Sequence, residues 1–220
     1  NYCIIAMYGN TLDNVWFLVS DNARVNKAVA NLCEKPLIGC HSHLVNIELK
    51  SYFESDNVIT KIEKVHKLMV KLSNNNALGT LKKISKLKPI VRNDTRWSST
   101  YNMIERYIEL AFCLTARNFE NTNIDDSMFL TDIEHQEIIQ LKKFLVKFSA
   151  VNITLQKEDL DMLQARMLLD GIIHENNEMA TRLSTNADIV HNKHFNNGII
   201  EILENNTIAN KNELDAMKSF

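Results

Sequence analysis

The chain has 220 residues, of which 45% are hydrophobic and 24% are charged, so it can bury a sizeable core. With only 5 glycines and 2 prolines it lacks the turn residues of an all-β protein, and helices are expected to dominate. No apolar run approaches the roughly 20 residues of a membrane span, and no signal peptide is recognisable. We therefore expect an intracellular protein that is not secreted and has no membrane partner, and its first residue, Asn1, suggests a chain that begins inside a longer protein.

The four cysteines show no paired spacing, which favours reduced thiols. The formal net charge of −2 hides an asymmetry between the two ends of the chain. Residues 1–120 hold 16 basic and 11 acidic residues, whereas residues 121–220 hold 9 and 16. The basic excess is concentrated in LKKISKLKPIVRNDTRW (81–97), which is explained equally well by a solvated helix face and by contact with phosphate.

The first 53 residues predict the order β-β-α-β-α. YCIIAMYG (2–9) and NVWFLVSD (14–21) are β-rich runs, and a helix with apolar residues at helical spacing is expected over 22–33. A short buried strand, PLIGC (36–40), follows, and a second helix is expected from His43. This pattern is typical of an α/β layer with parallel pairing around the first crossover.

The rest of the chain predicts helices only. Amphipathic helices are expected over 55–73, from a capping Ser98 or Ser99, and from Thr131 or Asp132, with further helices beyond. The sequence therefore predicts an α+β, mostly α protein, with an α/β part over 1–53 and an all-helical part over 54–220.

Asp21 is the first candidate functional residue, because it directly follows a predicted strand. Ligands of open α/β sheets bind at the carboxyl ends of the strands, and a carboxylate there is suited to a divalent cation. The alternative is a structural role as the cap of the helix over 22–33.

Cys40 and His43 form the second candidate, three residues apart at the start of a predicted helix. Half of a zinc site has this spacing, with His41, Cys33 and His66 as possible further ligands, but a convincing zinc pattern needs four. A histidine at a helix start can also donate to a phosphate oxygen. A buried cysteine beside a hydrogen-bonded histidine is the structural alternative.

Arg96 and Trp97 form the third candidate, at the end of the basic segment. An indole offers a face on which a base can stack, and a guanidinium can bind phosphate. The alternative is that Trp97 anchors the following helix by packing.

In this order, FLVSDNARVNKAVANL, KPLIGCHSHLVNIELKSYF and PIVRNDTRWSSTYNMIERY resemble the hAT superfamily of DNA transposases and the host proteins derived from them, over about residues 10–110. The resemblance implies an RNase H-like α/β domain interrupted by an all-helical insertion domain. It implies metal-dependent DNA strand cleavage and transfer with Mg²⁺ or Mn²⁺, a nuclear location, DNA as partner, and a homo-oligomer formed through a C-terminal segment.

On this resemblance Asp21 matches the second of three metal-holding carboxylates, and Cys40 and His43 match a Cys-x-x-His motif near the scissile phosphate. Arg96 and Trp97 match an Arg-Trp motif that handles a flipped base. The first Asp, the final Glu and the C-terminal dimerisation segment of the family have no counterpart in these 220 residues. We therefore expect a fragment or a decayed or repurposed copy that holds metal weakly and does not cleave DNA by itself.

The alternative function is a non-catalytic module that binds DNA or a protein, with Lys82, Lys83 and Lys86 in the basic segment as DNA contacts. An unrelated helical scaffold with an accidental motif match is the third interpretation.

Overall fold

The computed structural model describes residues 11–93, 96–205, 207–208 and 210–218. This part of the chain is mostly helical and contains one two-stranded parallel sheet, which confirms the predicted α+β, mostly α class. The strand expected at residues 2–9 and its Cys3 lie outside the described residues. None of the described helices has both the length and the hydropathy needed to cross a membrane.

The strands are β1 (Leu18–Ser20) and β2 (Leu37–Gly39). The helices are α1 (Arg24–Leu32), α2 (His41–Phe53), α3 (Asp56–Leu72), α4 (Asn75–Ile84), α5 (Trp97–Leu110), α6 (Ala116–Phe119), α7 (Asp132–Thr154), α8 (Met162–Glu175), α9 (Ala180–Leu183), α10 (Lys193–Asn205) and α11 (Lys211–Ala216). Short 3-10 turns lie at Leu12–Asn14, Ala111–Cys113, Asp126–Met128 and Asn177–Met179.

The chain divides into two compact units. Unit 1 comprises Asn1–Glu48 and Val151–Phe220, and unit 2 comprises Leu49–Ala150. Unit 1 contains both ends of the chain, whereas the sequence predicts one boundary, after residue 53. The predicted domains, 1–53 and 54–220, are not tested by the grouping and stay a prediction.

The sheet of unit 1 is a parallel β-α-β crossover, as expected from the sequence. β1 and β2 pair in the register Leu18↔Leu37, Val19↔Ile38 and Ser20↔Gly39, and α1 connects them. Leu37 and Ile38 of β2 are buried. Of residues 14–21, which the sequence predicts as a strand, Leu18–Ser20 form β1.

The C-terminal part of unit 1 is bonded to this crossover by polar contacts. Oδ1 of Asn192 accepts a hydrogen bond from the backbone N–H of Leu37, at 2.7 Å. Nζ of Lys27 on α1 donates to the carbonyl oxygen of Ile189, at 2.8 Å. Segments more than 150 residues apart in sequence therefore stabilise the same small sheet.

Within its described residues, the regular secondary structure of unit 2 consists of helices, joined by loops such as residues 85–93. The sequence predicts Val58, Ile62, Val65, Met69 and Leu72 on the apolar face of α3, because the 3.6-residue period places them on one side of the helix. All of these are buried except Val58, which is half-buried. The buried residues of this unit include Ile62, Val65, Leu68, Met69 and Leu72 on α3, Met103, Ile104 and Tyr107 on α5, and Ile138, Leu145 and Phe148 on α7.

The predicted start of α7 is confirmed. Thr131 N–H donates to Oε2 of Glu134 at 2.7 Å, and Glu134 N–H approaches Oγ1 of Thr131 at 3.3 Å, which is the reciprocal pattern of a capping box. The expected cap of α5 at Ser98 or Ser99 is wrong. That helix begins at Trp97, and Oγ of Ser99 bonds back to the preceding turn, donating to the carbonyl oxygen of Arg96 at 2.9 Å.

Candidate functional site

The carboxyl ends of β1 and β2 lie side by side in unit 1. Ser20 pairs with Gly39, and the N–H of Cys40 donates to the carbonyl oxygen of Ser20 at 2.7 Å, which continues the pairing by one residue. Asp21 and Cys40 are therefore the first residues beyond two adjacent strand ends. Open α/β sheets bind their ligands at this edge.

Asp21 is exposed, and one of its oxygens is engaged locally. Oδ1 accepts from the backbone N–H of Ala23 at 2.9 Å and from Nδ2 of Asn26 at 2.7 Å. α1 itself has Ala23 as its N-cap, with no side-chain cap bond. The carboxylate therefore stabilises the turn that leads into α1, which supports a structural role close to the capping alternative. Its role as a metal ligand stays a prediction.

Within residues 11–93, 96–205, 207–208 and 210–218, no group of three or more His, Cys, Asp or Glu side chains is arranged to hold a metal ion. The predicted zinc ligands and the predicted Mg²⁺ or Mn²⁺ ligand Asp21 thus have no assembled ligand set in this part of the chain, and we derive no chemical step through a metal.

α2 begins at His41, two residues before the start expected at His43, so Cys40 precedes the helix and His43 lies in its first turn. Both side chains are half-buried. The buried face of α2 carries Leu44, Val45, Glu48 and Leu49. At 100° per residue, His41 lies on this face, four residues before Val45, whereas His43 lies on the opposite side of the helix. The role of His43 as a phosphate contact stays a prediction.

The sequence predicts no role for His41 other than that of a possible zinc ligand. Burial, reinforced by the positive charge of Arg166, lowers the pKa of His41 from 6.5 to about 4. The imidazole is therefore neutral at pH 7. Its position one helical turn before Val45 was the sequence signal that could have identified it as inward-facing.

Asn22 and Gly39 form a close contact that the sequence did not predict. A Cβ atom on Gly39 would lie 2.1 Å from Oδ1 of Asn22. Nδ2 of Asn22 also approaches the carbonyl oxygen of Cys40 at 3.5 Å. Only glycine allows the Asn22 amide to lie over the end of β2, so this contact fixes the loop that carries Asp21 relative to Cys40.

A cavity of about 550 Å³ opens beside this edge of the sheet. Its described lining includes Val19 and Ile38 of the sheet, Cys40 and His41 at the start of α2, and Leu203 of α10. The walls are largely apolar, so the cavity suits apolar groups better than a phosphodiester backbone.

Arg96 and Trp97 belong to unit 2. Arg96 is exposed, but Trp97 is only 3% exposed and its ring contacts Tyr101 with centroids 6.1 Å apart. Burial of the indole supports the packing alternative, and its role in stacking a base stays a prediction.

The lysines of the basic segment also lie in unit 2. Lys82 and Lys83 occupy the last turn of α4, Lys86 follows it, and all three are exposed. Arg92 of the same segment forms an ion pair with Glu63. These three predicted DNA contacts, like Arg96, are thus accessible to a ligand.

Comparisons with protein-family models, with curated proteins and with solved structures find no match for this chain.

Proposed function

We propose that the chain is a segment of a hAT-type DNA transposase, or of a host protein derived from one, with a partial RNase H-like layer and a helical insertion. The observation that carries this proposal is the common edge of β1 and β2, from which Asp21 and the Cys40–His43 motif both emerge. In an RNase H-like arrangement, residues at this edge face the nucleic-acid backbone. The proposal includes a nuclear location, DNA as partner, and self-association of the full-length protein.

Catalysis requires more than these residues supply. Mg²⁺ in phosphoryl-transfer sites is anchored by more than one protein group together with the substrate phosphate. Asp21 is the one carboxylate that matches the family's set, so residues 1–220 are expected to bind DNA without cutting it in the presence of Mg²⁺ or Mn²⁺.

Disulfide crosslinking to DNA tests whether the sheet edge faces a nucleic acid. Duplex DNA with a thiol tethered to one phosphate is equilibrated with the protein under mild oxidation. We expect a mixed disulfide at Cys40 in several-fold higher yield than at Cys33, which is also half-buried and lies in the same unit. Equal yields at the two thiols would contradict the proposal.

A non-catalytic DNA-binding module is the second candidate function, favoured by the exposure of Lys82, Lys83 and Lys86. Each neutralised phosphate contributes about −0.9 to the slope of log K against log salt. Changing the three lysines to glutamate is expected to weaken duplex binding at least about tenfold at low salt and to flatten the salt dependence.

The matched control changes the exposed residues Lys143, Lys157 and Lys211 to glutamate, which alters the net charge equally. We expect this control to bind DNA more tightly than the first variant. If both variants lose the same affinity, only net charge matters and the basic segment is not the DNA-binding surface.

A further inference from the structure

A second, much smaller cavity lies inside unit 1, between the sheet edge and two helices. Its described lining includes Asn22 and His41 at the sheet edge, Arg166 on α8, Ser184, and Asn196 on α10. It has a volume of about 20 Å³. A cavity of roughly 10–15 Å³ or more, when lined by polar groups, has room for one water molecule.

Arg166 presents an unpaired donor inside the protein. The residue is 7% exposed. Nη1 donates to the carbonyl oxygen of Leu183 at 2.6 Å, and Nη2 lies 2.7 Å from Oδ1 of Asp170. Nε and Nη2 are both buried and form no hydrogen bond with a described residue, so the contact of Nη2 with Asp170 is an ion pair only, and Nε has no polar partner of either kind. An unmade hydrogen bond of a buried charged group is costly, so this N–H needs an acceptor.

Asn196 presents the complementary group. Oδ1 of Asn196 is buried and accepts no hydrogen bond from any described residue. Arg166 and Asn196 line the same small cavity from α8 and α10. A buried donor and a buried acceptor, neither with a hydrogen-bond partner among the described residues, thus belong to two residues that line one cavity.

We propose that this cavity binds a single ordered water molecule, which accepts a hydrogen bond from Nε of Arg166 and donates one to Oδ1 of Asn196. A water satisfies both atoms because it is donor and acceptor at once. A halide would bind the guanidinium but would leave Oδ1 of Asn196 without a donor. The water connects α8 to α10 beneath the Asn22–Gly39 contact, and this inference does not depend on the proposed function.

A crystal structure of the full chain at about 1.5 Å, with a parallel bromide soak, tests the proposal. We expect a water peak within 2.7–3.2 Å of both atoms, the usual range for such hydrogen bonds, and no anomalous bromide peak in the cavity. An empty cavity, a direct hydrogen bond between Arg166 and Asn196, or a bromide peak would each overturn it.

Water-selective NMR provides an independent test in solution. The Nε–H of Arg166 is expected to show a cross-peak to a long-lived water in the wild-type protein. The Asn196→Leu variant should lose this cross-peak, and Asn186→Leu, at an exposed asparagine of the same unit, should retain it. Absence of the cross-peak in the wild-type protein contradicts the proposal whether or not Asn196→Leu folds.

Discussion

Unit 2 is built from one continuous stretch of chain, whereas unit 1 combines the two ends of the chain. Consecutive helices bury the apolar faces of unit 2, and each face is visible as a periodic pattern in the sequence. The sheet of unit 1 depends instead on contacts such as Leu37 with Asn192, between residues 155 positions apart. The difference shows that local patterns anticipate the helices of unit 2 and the β-α-β order of unit 1, but not the long-range polar contacts that bond the C-terminal part of unit 1 to its sheet.

The largest expected effect tests the packing of unit 2. Trp97→Ala removes an almost fully buried indole and is expected to lower the free energy of unfolding by about 3–5 kcal/mol, measured by urea denaturation. Phe112→Ala is the control, because that ring is 74% exposed and should change little. A Trp97→Ala protein of unchanged stability that no longer binds DNA would instead favour the base-stacking role.

A smaller effect tests the sheet edge of unit 1. Gly39→Ala places a methyl group where the Asn22 amide lies, and we expect a loss of about 1 kcal/mol, because the end of a flexible side chain can move aside. Adding Asn22→Ala should recover part of this loss. Gly171→Ala is the control: a Cβ there meets no atom within 4 Å, and alanine in α8 is expected to stabilise by about 0.5–1 kcal/mol.

The smallest effects concern two carboxyl groups, Glu213 in unit 1 and Glu134 in unit 2. Their contributions to stability change with pH in opposite directions. Burial, and then the neighbouring Glu201, raises the pKa of Glu213 on α11, against the opposing influence of His194 and Asn197. The folded state thus favours the protonated form, so this group's contribution to stability falls as the pH rises from its unfolded value of 4.5 through the raised pKa. Glu213→Gln is expected to be more stable than wild type at pH 7 and similar to it at acid pH.

Glu134 in unit 2 gives the opposite dependence. Hydrogen bonds from Lys64 and from the backbone of Thr131 lower its pKa, so its stabilising contribution is present above pH 4.5 and is lost as the pH falls through the lowered value. Glu134→Gln should therefore be less stable than wild type at pH 7 and should match it at low pH. Urea denaturation at several pH values measures the free energy of unfolding of both variants. If Glu213→Gln and Glu134→Gln differ from wild type in the same direction at pH 7, the assigned causes are refuted.

The sequence predicted the elements better than it predicted the site. The strand–helix–strand order around Asp21, the parallel pairing and the capping of α7 follow from short-range patterns, and all three are confirmed. The start of α5 was misplaced because Ser99 bonds to residues before the helix rather than capping it. A hydroxyl near a helix start does not reveal which backbone group it will bind.

The polar contacts of the site depend on residues that are distant in sequence. Gly39 and Asn22 are 17 positions apart in the numbering, and their close approach exists only once β1 and β2 are paired. Burial, and then the charge of Arg166 on a helix more than a hundred residues later, lowers the pKa of His41. Single-sequence patterns carry no information on such pairs, so the motifs were located but their neighbours were not.

The bond between Asn192 and Leu37 has a consequence for assembly. The N–H of Leu37 is not used in pairing with β1, and a further strand added to the outer side of β2 would need such a donor. Because the Asn192 amide already occupies it, a strand added at this edge would have to displace that hydrogen bond first.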